Sequence, residues 1–402
     1  MCTTIRKDTS PTHASNGQAQ RPDTRHTDPV LRTPQTSSTD NVTSGPKAYR
    51  DALGEGRTSE VFTPVASTLV VKTDMAHPII GGWGDFRYQY LPDRLQPPPG
   101  SSMVNCHGLV VDASQNIILT YEPDHKIDHE CLIRWKPDGT DPEHLTGGTE
   151  ETLCEGTPHG LSIATEGGQQ FLYHANNDQK LTKTHLNGSV VWQRNGPFGQ
   201  VPQDPYKPTW FAVPPDGDFS YLCDGYGSNR VFAFNRWTGD FMNATFGGKG
   251  DRSQHGAFST NHGCTYDPRN GLIAVADRAN SRIEYFKYDP TSPKVFAYSH
   301  TVDMRPTMGA KTLPCNLRMY PEQQGVAVSP DLAGPVAILD ARNSVVSVIN
   351  VSVLLAAEQH RHPHDAIILP NGDLVVATWA PGRLSYWKRL VPGAAPVESA
   401  AS

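Results

Sequence analysis

Pro363-His364-Asp365, close to the carboxy-terminal end of the chain, has five relatives upstream: Cys106-His107-Gly108, Pro158-His159-Gly160, Pro208-Thr209-Trp210, Asn261-His262-Gly263 and Pro314-Cys315-Asn316. The central positions 107, 159, 209, 262, 315 and 364 are separated by 52, 50, 53, 53 and 49 residues. A period this regular marks one supersecondary unit repeated six times.

Working outward, each group opens a short apolar run: Leu109-Val110-Val111, Leu161-Ser162-Ile163, Phe211-Ala212-Val213, Cys264-Thr265-Tyr266, Leu317-Arg318-Met319 and Ala366-Ile367-Ile368. Most runs lead into a Gly/Asn/Asp turn such as Pro215-Asp216-Gly217 or Pro370-Asn371-Gly372, the chemistry of tight hairpins rather than of crossovers. A second strand is read as ending at Asp224, Asp277 and Asp340, followed by a third strand such as Val231 to Phe234 or Val345 to Val348 and a fourth such as Phe241 to Phe246. Six copies of four antiparallel strands predict an all-β fold, a six-bladed β-propeller. The last repeat offers three strands, so an amino-terminal strand within residues 68–84 (Leu69-Val70-Val71, Ile79-Ile80) is expected to complete it and remove the open edge.

A chain of 402 residues is long enough for two domains, but the repeat argues for one propeller over residues 66–392 between tails at 1–65 and 393–402. The first 65 residues, rich in Thr, Ser, Pro, Asp and Arg, cannot bury enough apolar surface to offset their ordering entropy and read as disordered; His13 and His26 there receive no role. A formal charge of −6 without a Lys/Arg run argues against a nucleic-acid partner. The apolar run Val345 to Ala357 is too short and too interrupted to span a membrane. Without an amino-terminal apolar segment of the secretory kind, a cytoplasmic location and a monomer are expected. Seven scattered cysteines without a CxxC pair do not make a disulfide framework, though one or two bridges remain open.

In a propeller the first strand of each blade lies nearest the axis, so residues of equal phase face one ring. His107, His159, His262 and His364 are therefore expected to converge, and 16 histidines in 402 residues would rarely place four at six equivalent positions by chance. Convergent imidazoles suit a divalent transition metal, and three of them leave a coordination position open, as in catalytic zinc. Asp365 is read either as an oxygen ligand for a second cation such as calcium or as a strand-opening acid bonded to backbone amides. Asp224, Asp277 and Asp340 read as turn ties, whereas Tyr226 and Arg278 stand out because their counterparts in other repeats differ.

Over residues 100–390 these motifs resemble the peptidyl-α-hydroxyglycine α-amidating lyases, six-bladed propellers of the NHL-repeat kind. The resemblance rests on PHGLSI at Pro158 to Ile163, Pro208-Thr209, DGYGSNR at Asp224 to Arg230, His262 with VADRANSRI at Val275 to Ile283, and PHD at Pro363 to Asp365. It implies zinc on His159, His262 and His364, a catalytic Tyr226, Arg278 lining the site, and a structural calcium held by Asp365 and the carbonyls of Leu109 and Leu161. The implied reaction cleaves a carbinolamide C–N bond: zinc acidifies the substrate hydroxyl, a base takes its proton, and an amide leaves as glyoxylate forms.

Departures from the family are equally definite. Glu122 stands where the resemblance places a second active-site arginine, which reverses a charge. His107 and His362 are additional histidines beside the expected metal. Gly227, Ala274 and Tyr285 occupy positions that are cysteine in the family, which fits a reducing compartment or simple divergence. Three readings follow: a metal-dependent lyase on a small-molecule or peptide substrate; a metal-dependent hydrolase or lactonase with Glu122 as ligand or base; and a non-enzymatic propeller that binds a protein or glycan.

Overall fold

A computed structural model describes residues 78–125, 130–147, 153–196 and 205–391. The tails expected at 1–65 and 393–402, and the strand expected at Leu69-Val70-Val71, lie outside the described residues.

Six antiparallel sheets are built from the chain, each with an inner strand that contains a repeated group or lies just after one. Blade 1 runs Met103–Val111, Ile117–Pro123, Leu132–Trp135 and Glu143–His144; the inner strands of blades 2 to 6 are Pro158–Glu166, Trp210–Ala212, Asn261–Asp267, Arg318–Tyr320 and Pro363–Ile368. Both faces of every blade are covered by neighbours. Second strands such as Phe219–Cys223, Val326–Pro330 and Leu374–Thr378 are accordingly buried along their whole length. Six apolar clusters fill the six junctions, including the one between last and first blades, where Leu109, Leu119 and Tyr121 pack on Ile367, Val375 and Ala377. The six-bladed propeller expected from the repeat is the observed fold, and the ring is closed.

Closure corrects one expected detail. Phe86–Leu91, not a strand ending at residue 84, pairs with Arg383–Arg389 as the fourth strand of blade 6, and Ile80–Trp83 adds a fifth outside it. The added hairpin is tied to blade 5 by Ser347, whose Oγ donates to the Phe86 carbonyl (3.0 Å) and accepts from Trp83 N–H (3.0 Å).

A second correction concerns blade 5. Asp340 follows the third strand, Val336–Leu339, and Val345–Ile349 is the fourth. The true counterpart of Asp224 and Asp277 is Asp331. All three carboxylates accept a backbone N–H just before the inner strand, from Lys207 (2.5 Å), Ser259 (2.7 Å) and Leu313 (2.9 Å) respectively. Sequence reading passes over Asp331 because Asp340-Ala341-Arg342-Asn343-Ser344 imitates the motif of blade 4.

Cys131 and Cys154 form a disulfide, while Cys106, Cys223, Cys264 and Cys315 are free and buried. Such bridges persist in oxidising compartments and are rare in the cytosol, which runs against the reducing surroundings suggested by the absent family cysteines. No helix among the described residues is long and apolar enough to cross a membrane.

Candidate metal centre

The four histidines meet at one end of the axis because the inner strands bulge where they sit. In blade 4, Asn261 faces Asp277 and Gly263 faces Ala276, so His262 is the extra residue; in blade 6, Pro363 faces Thr378 and Asp365 faces Ala377, which leaves His364 extra. Register shifts between Cys106 and Leu109 and between Pro158 and Leu161 free His107 and His159 in the same way. A bulge interrupts the alternation of a strand and re-aims one side chain; here it turns each imidazole toward the axis.

All four rings are at most 1% exposed. His159 lies 4.5, 4.8 and 4.7 Å, centroid to centroid, from His107, His262 and His364, and His364 lies 4.8 and 4.6 Å from His107 and His262. Three of them are locked by the following blade. His159 Nδ1 bonds the Thr209 carbonyl at 2.9 Å, His262 Nδ1 the Cys315 carbonyl at 2.8 Å, and His364 Nδ1 the His107 carbonyl at 3.4 Å. An Nδ1–H donated to a carbonyl fixes the tautomer and leaves the lone pair on Nε2, the arrangement of metal-ligating histidines.

The glycine after the histidine makes this lock possible. A Cβ on Gly160 would fall 2.2 Å from the Thr209 oxygen, and one on Gly263 would fall 2.6 Å from the Cys315 oxygen, the two carbonyls that hold His159 and His262. Where the following residue is Asp365 instead, the corresponding bond is the longest of the three.

Burial holds these imidazoles neutral. His159 is pushed down to about 3 by desolvation, against the opposing effect of the Thr209 bond. His262 and His364 are held well below the usual histidine range by burial first, then by nearby positive charge, and His107 by burial. Neutral Nε2 atoms in a dry site are strong donors for a divalent transition ion. His159 Nε2, His364 Nε2 and both His107 nitrogens are buried without a hydrogen-bond partner. A donor atom from each of His107, His159 and His364 lies within 4.8 Å of the others, so this group can hold a metal ion. His262 belongs to the same cluster of rings, but its Nε2 accepts from the Tyr226 hydroxyl at 3.0 Å.

Tyr226 and Arg278 stand beside the imidazoles. Tyr226 follows the second strand of blade 3, and its ring is 5.3 Å from His159 and 5.4 Å from His262. Arg278, 7% exposed in a short 3-10 turn after the second strand of blade 4, donates from Nη1 to the Tyr226 hydroxyl at 3.1 Å.

Two other predicted residues have partners of their own. Glu122 accepts from Asn105 Nδ2 at 2.5 Å and faces Asn105 across the strand pair, just as Asn176 faces Pro158 and Asp277 faces Asn261. It occupies the strand-tie position of its blade, and no described contact joins it to an imidazole. His362 bonds the Leu332 carbonyl through Nδ1 at 2.7 Å and packs near Trp379.

The oxygens expected to hold calcium do come together, but onto a side chain the sequence reading does not single out. The guanidinium of Arg318 donates from Nη2 to the carbonyls of Leu109 (2.8 Å) and Leu161 (3.0 Å) and to Asp365 Oδ2 (2.6 Å). A signal was available: positions three beyond each rim residue are Val110, Ser162, Ala212, Thr265, Arg318 and Ile367, and only one is charged.

Fold and site together define a six-bladed propeller with a buried cluster of histidines that could hold a metal ion. No family model matches the chain. The chain is similar to peptidyl-glycine alpha-amidating monooxygenase of Mus musculus, 32% identical over 136 residues (33% of this chain), and to the Rattus norvegicus protein, 25% identical over 205 residues (45% of this chain). It spans 14% and 20% of the lengths of those curated relatives. Similar solved structures include a regucalcin described as calcium-binding from Agrobacterium tumefaciens (11% identity, TM-score 0.49, 74% of this chain and 96% of that one). A catalytically inactive variant of virginiamycin B lyase from Staphylococcus aureus with quinupristin is another (11% identity, TM-score 0.47, 76% of this chain and 100% of that one).

Proposed function

We propose that this propeller is a metal-dependent lyase that cleaves a carbinolamide-type C–N bond, with a divalent transition metal, zinc by resemblance, on three imidazoles of the cluster, His159, His262 and His364, beside which His107 stands. The observation that carries it is the lock on alternate blades: the imidazoles of blades 2, 4 and 6 each bond a carbonyl of the next blade through Nδ1, which turns Nε2 toward the axis. His262 would hold the ion through the Nε2 that here accepts from the Tyr226 hydroxyl.

When bound, the metal supplies Lewis acidity toward a substrate hydroxyl. Tyr226 is placed to carry the proton. Its oxygen, as the phenolate, takes the hydroxyl proton of the substrate; the O–H electron pair becomes the second bond of a carbonyl, the C–N bond breaks, and the same proton passes to the departing amide nitrogen, which restores the phenolate. Arg278 keeps a positive charge beside the Tyr226 oxygen, which favours the phenolate that begins and ends the step. The substrate is a small molecule or a peptide end that bears the carbinolamide. Glu122, engaged with Asn105, has no part in the step.

The test is metal content of the purified protein together with glyoxylate release from an α-hydroxyglycine peptide. One transition-metal ion per chain and glyoxylate release that drops by at least ~100-fold in Tyr226→Phe are expected. A loaded protein that releases no glyoxylate would point to the hydrolase or lactonase reading instead, and a protein that binds no transition metal would sink both.

A further inference from the structure

We propose that Arg318 is a built-in cation that takes the place of a bound divalent ion on the propeller axis, so that the fold ties its blades together without calcium. The residues do not fit calcium as they stand. Calcium needs six to eight oxygen ligands at about 2.3–2.6 Å, and the oxygens that would begin such a shell are already engaged by a guanidinium.

The arrangement has the character of ion coordination. Arg318 comes from blade 5, whereas Asp365, Leu109 and Leu161 belong to blades 6, 1 and 2, so a single charge draws on four of the six blades. One terminal nitrogen, with two hydrogens to give, faces three oxygens within 3.0 Å. Charge gathers these oxygens more than one-to-one hydrogen bonding does. The Asp365 carboxylate, fully buried, also accepts from Leu109 N–H (2.8 Å), Ala366 N–H (2.9 Å), Asn316 Nδ2 (3.0 Å) and Arg318 Nε (3.2 Å). Its acceptor capacity is spent on donors. A divalent ion entering here would have to expel the guanidinium, or else place two like charges against one carboxylate in a dry channel.

The surroundings keep this cation apart from the imidazole cluster. The Arg318 guanidinium lies 5.3 Å from the centre of the Trp210 ring, a cation–π contact. The same ring also neighbours His364, His159 and His262, with centroids 6.0, 6.2 and 6.3 Å from it. Trp210 is therefore the floor of the metal centre, and Arg318 supports that floor. Arg318 also borders a cavity of about 760 Å³ lined by Leu109, Ser162, Thr265 and Ile367 among others.

The experiment titrates the full-length protein, stripped with EGTA, with calcium and with terbium(III), a calcium mimic whose luminescence Trp210 would sensitise. Thermal unfolding is followed in the same samples. Wild type is expected to show no saturable sensitised luminescence and no calcium-dependent change in unfolding temperature. Arg318→Ala is expected to unfold several degrees lower and to recover part of that loss in millimolar calcium, because three oxygens are released, whereas Arg318→Lys keeps a charge and stays calcium-insensitive. Saturable terbium binding by wild type, or a calcium-dependent rise in its unfolding temperature, overturns the proposal. An Arg318→Ala protein as stable as wild type without calcium overturns it too. If Arg318→Ala does not fold, the wild-type titration alone decides in one direction or the other.

Discussion

Gly160 shows how little the proposed metal centre needs in order to fail. Its missing Cβ is the space into which the Thr209 carbonyl advances to hold His159. Gly160→Ala is expected to push that carbonyl away, leave the imidazole free to turn, and cost about 10- to 100-fold in metal affinity, as loss of an outer-shell partner does; isothermal titration with the metal checks it. The imidazoles also predict a pH response. Their folded pKa values are depressed, to about 3 for His159, while the unfolded chain protonates near 6.5. The unfolded state then binds more protons, so stability is lost as pH falls from about 6.5 toward 3, by about 2 kcal/mol for His159 alone at pH 5. Metal-free protein followed by thermal unfolding should show this slope, and His159→Gln should flatten it. A metal-free protein whose stability does not change between pH 7 and pH 5 would contradict the buried neutral cluster.

At the scale of strands, the repeat makes all six inner strands and the ring of histidines readable, because a fixed period with apolar runs and turns leaves few alternatives. The same logic fails in blade 5, where Asp340-Ala341-Arg342-Asn343-Ser344 copies the motif of another blade one strand too late. Local likeness outweighs the spacing, which Asp331 satisfies. The bulges, the carbonyl locks and Arg318 are not legible for a different reason: each depends on how close two blades come, a distance no single repeat encodes. The closing hairpin yields the prediction at this scale. Truncation through Leu91 removes two strands of blade 6 and bares the edge of Arg383–Arg389. The expected result is aggregation, visible by light scattering, since an unpaired strand edge recruits other chains.

Over the whole molecule, stability is distributed in junctions, and the junction of blades 2 and 3 contains charge. Glu166, whose side chain is about 1% exposed, pairs with Lys183 and Arg236 and accepts from the Tyr173 hydroxyl. Glu166→Gln leaves two cations facing a neutral amide and is expected to destabilise by about 3–5 kcal/mol, read from the denaturant midpoint. The locks on the imidazoles link junctions of another kind. Two of them reach forward to the blade that follows in the chain, but the third, from His364 to the His107 carbonyl, spans 257 residues and joins the last blade to the first. A growing chain therefore has no complete ligand set until its final blade docks. If the cluster holds the ion proposed for it, metal loading follows synthesis rather than accompanying it, and uptake of the ion reports that the ring has shut.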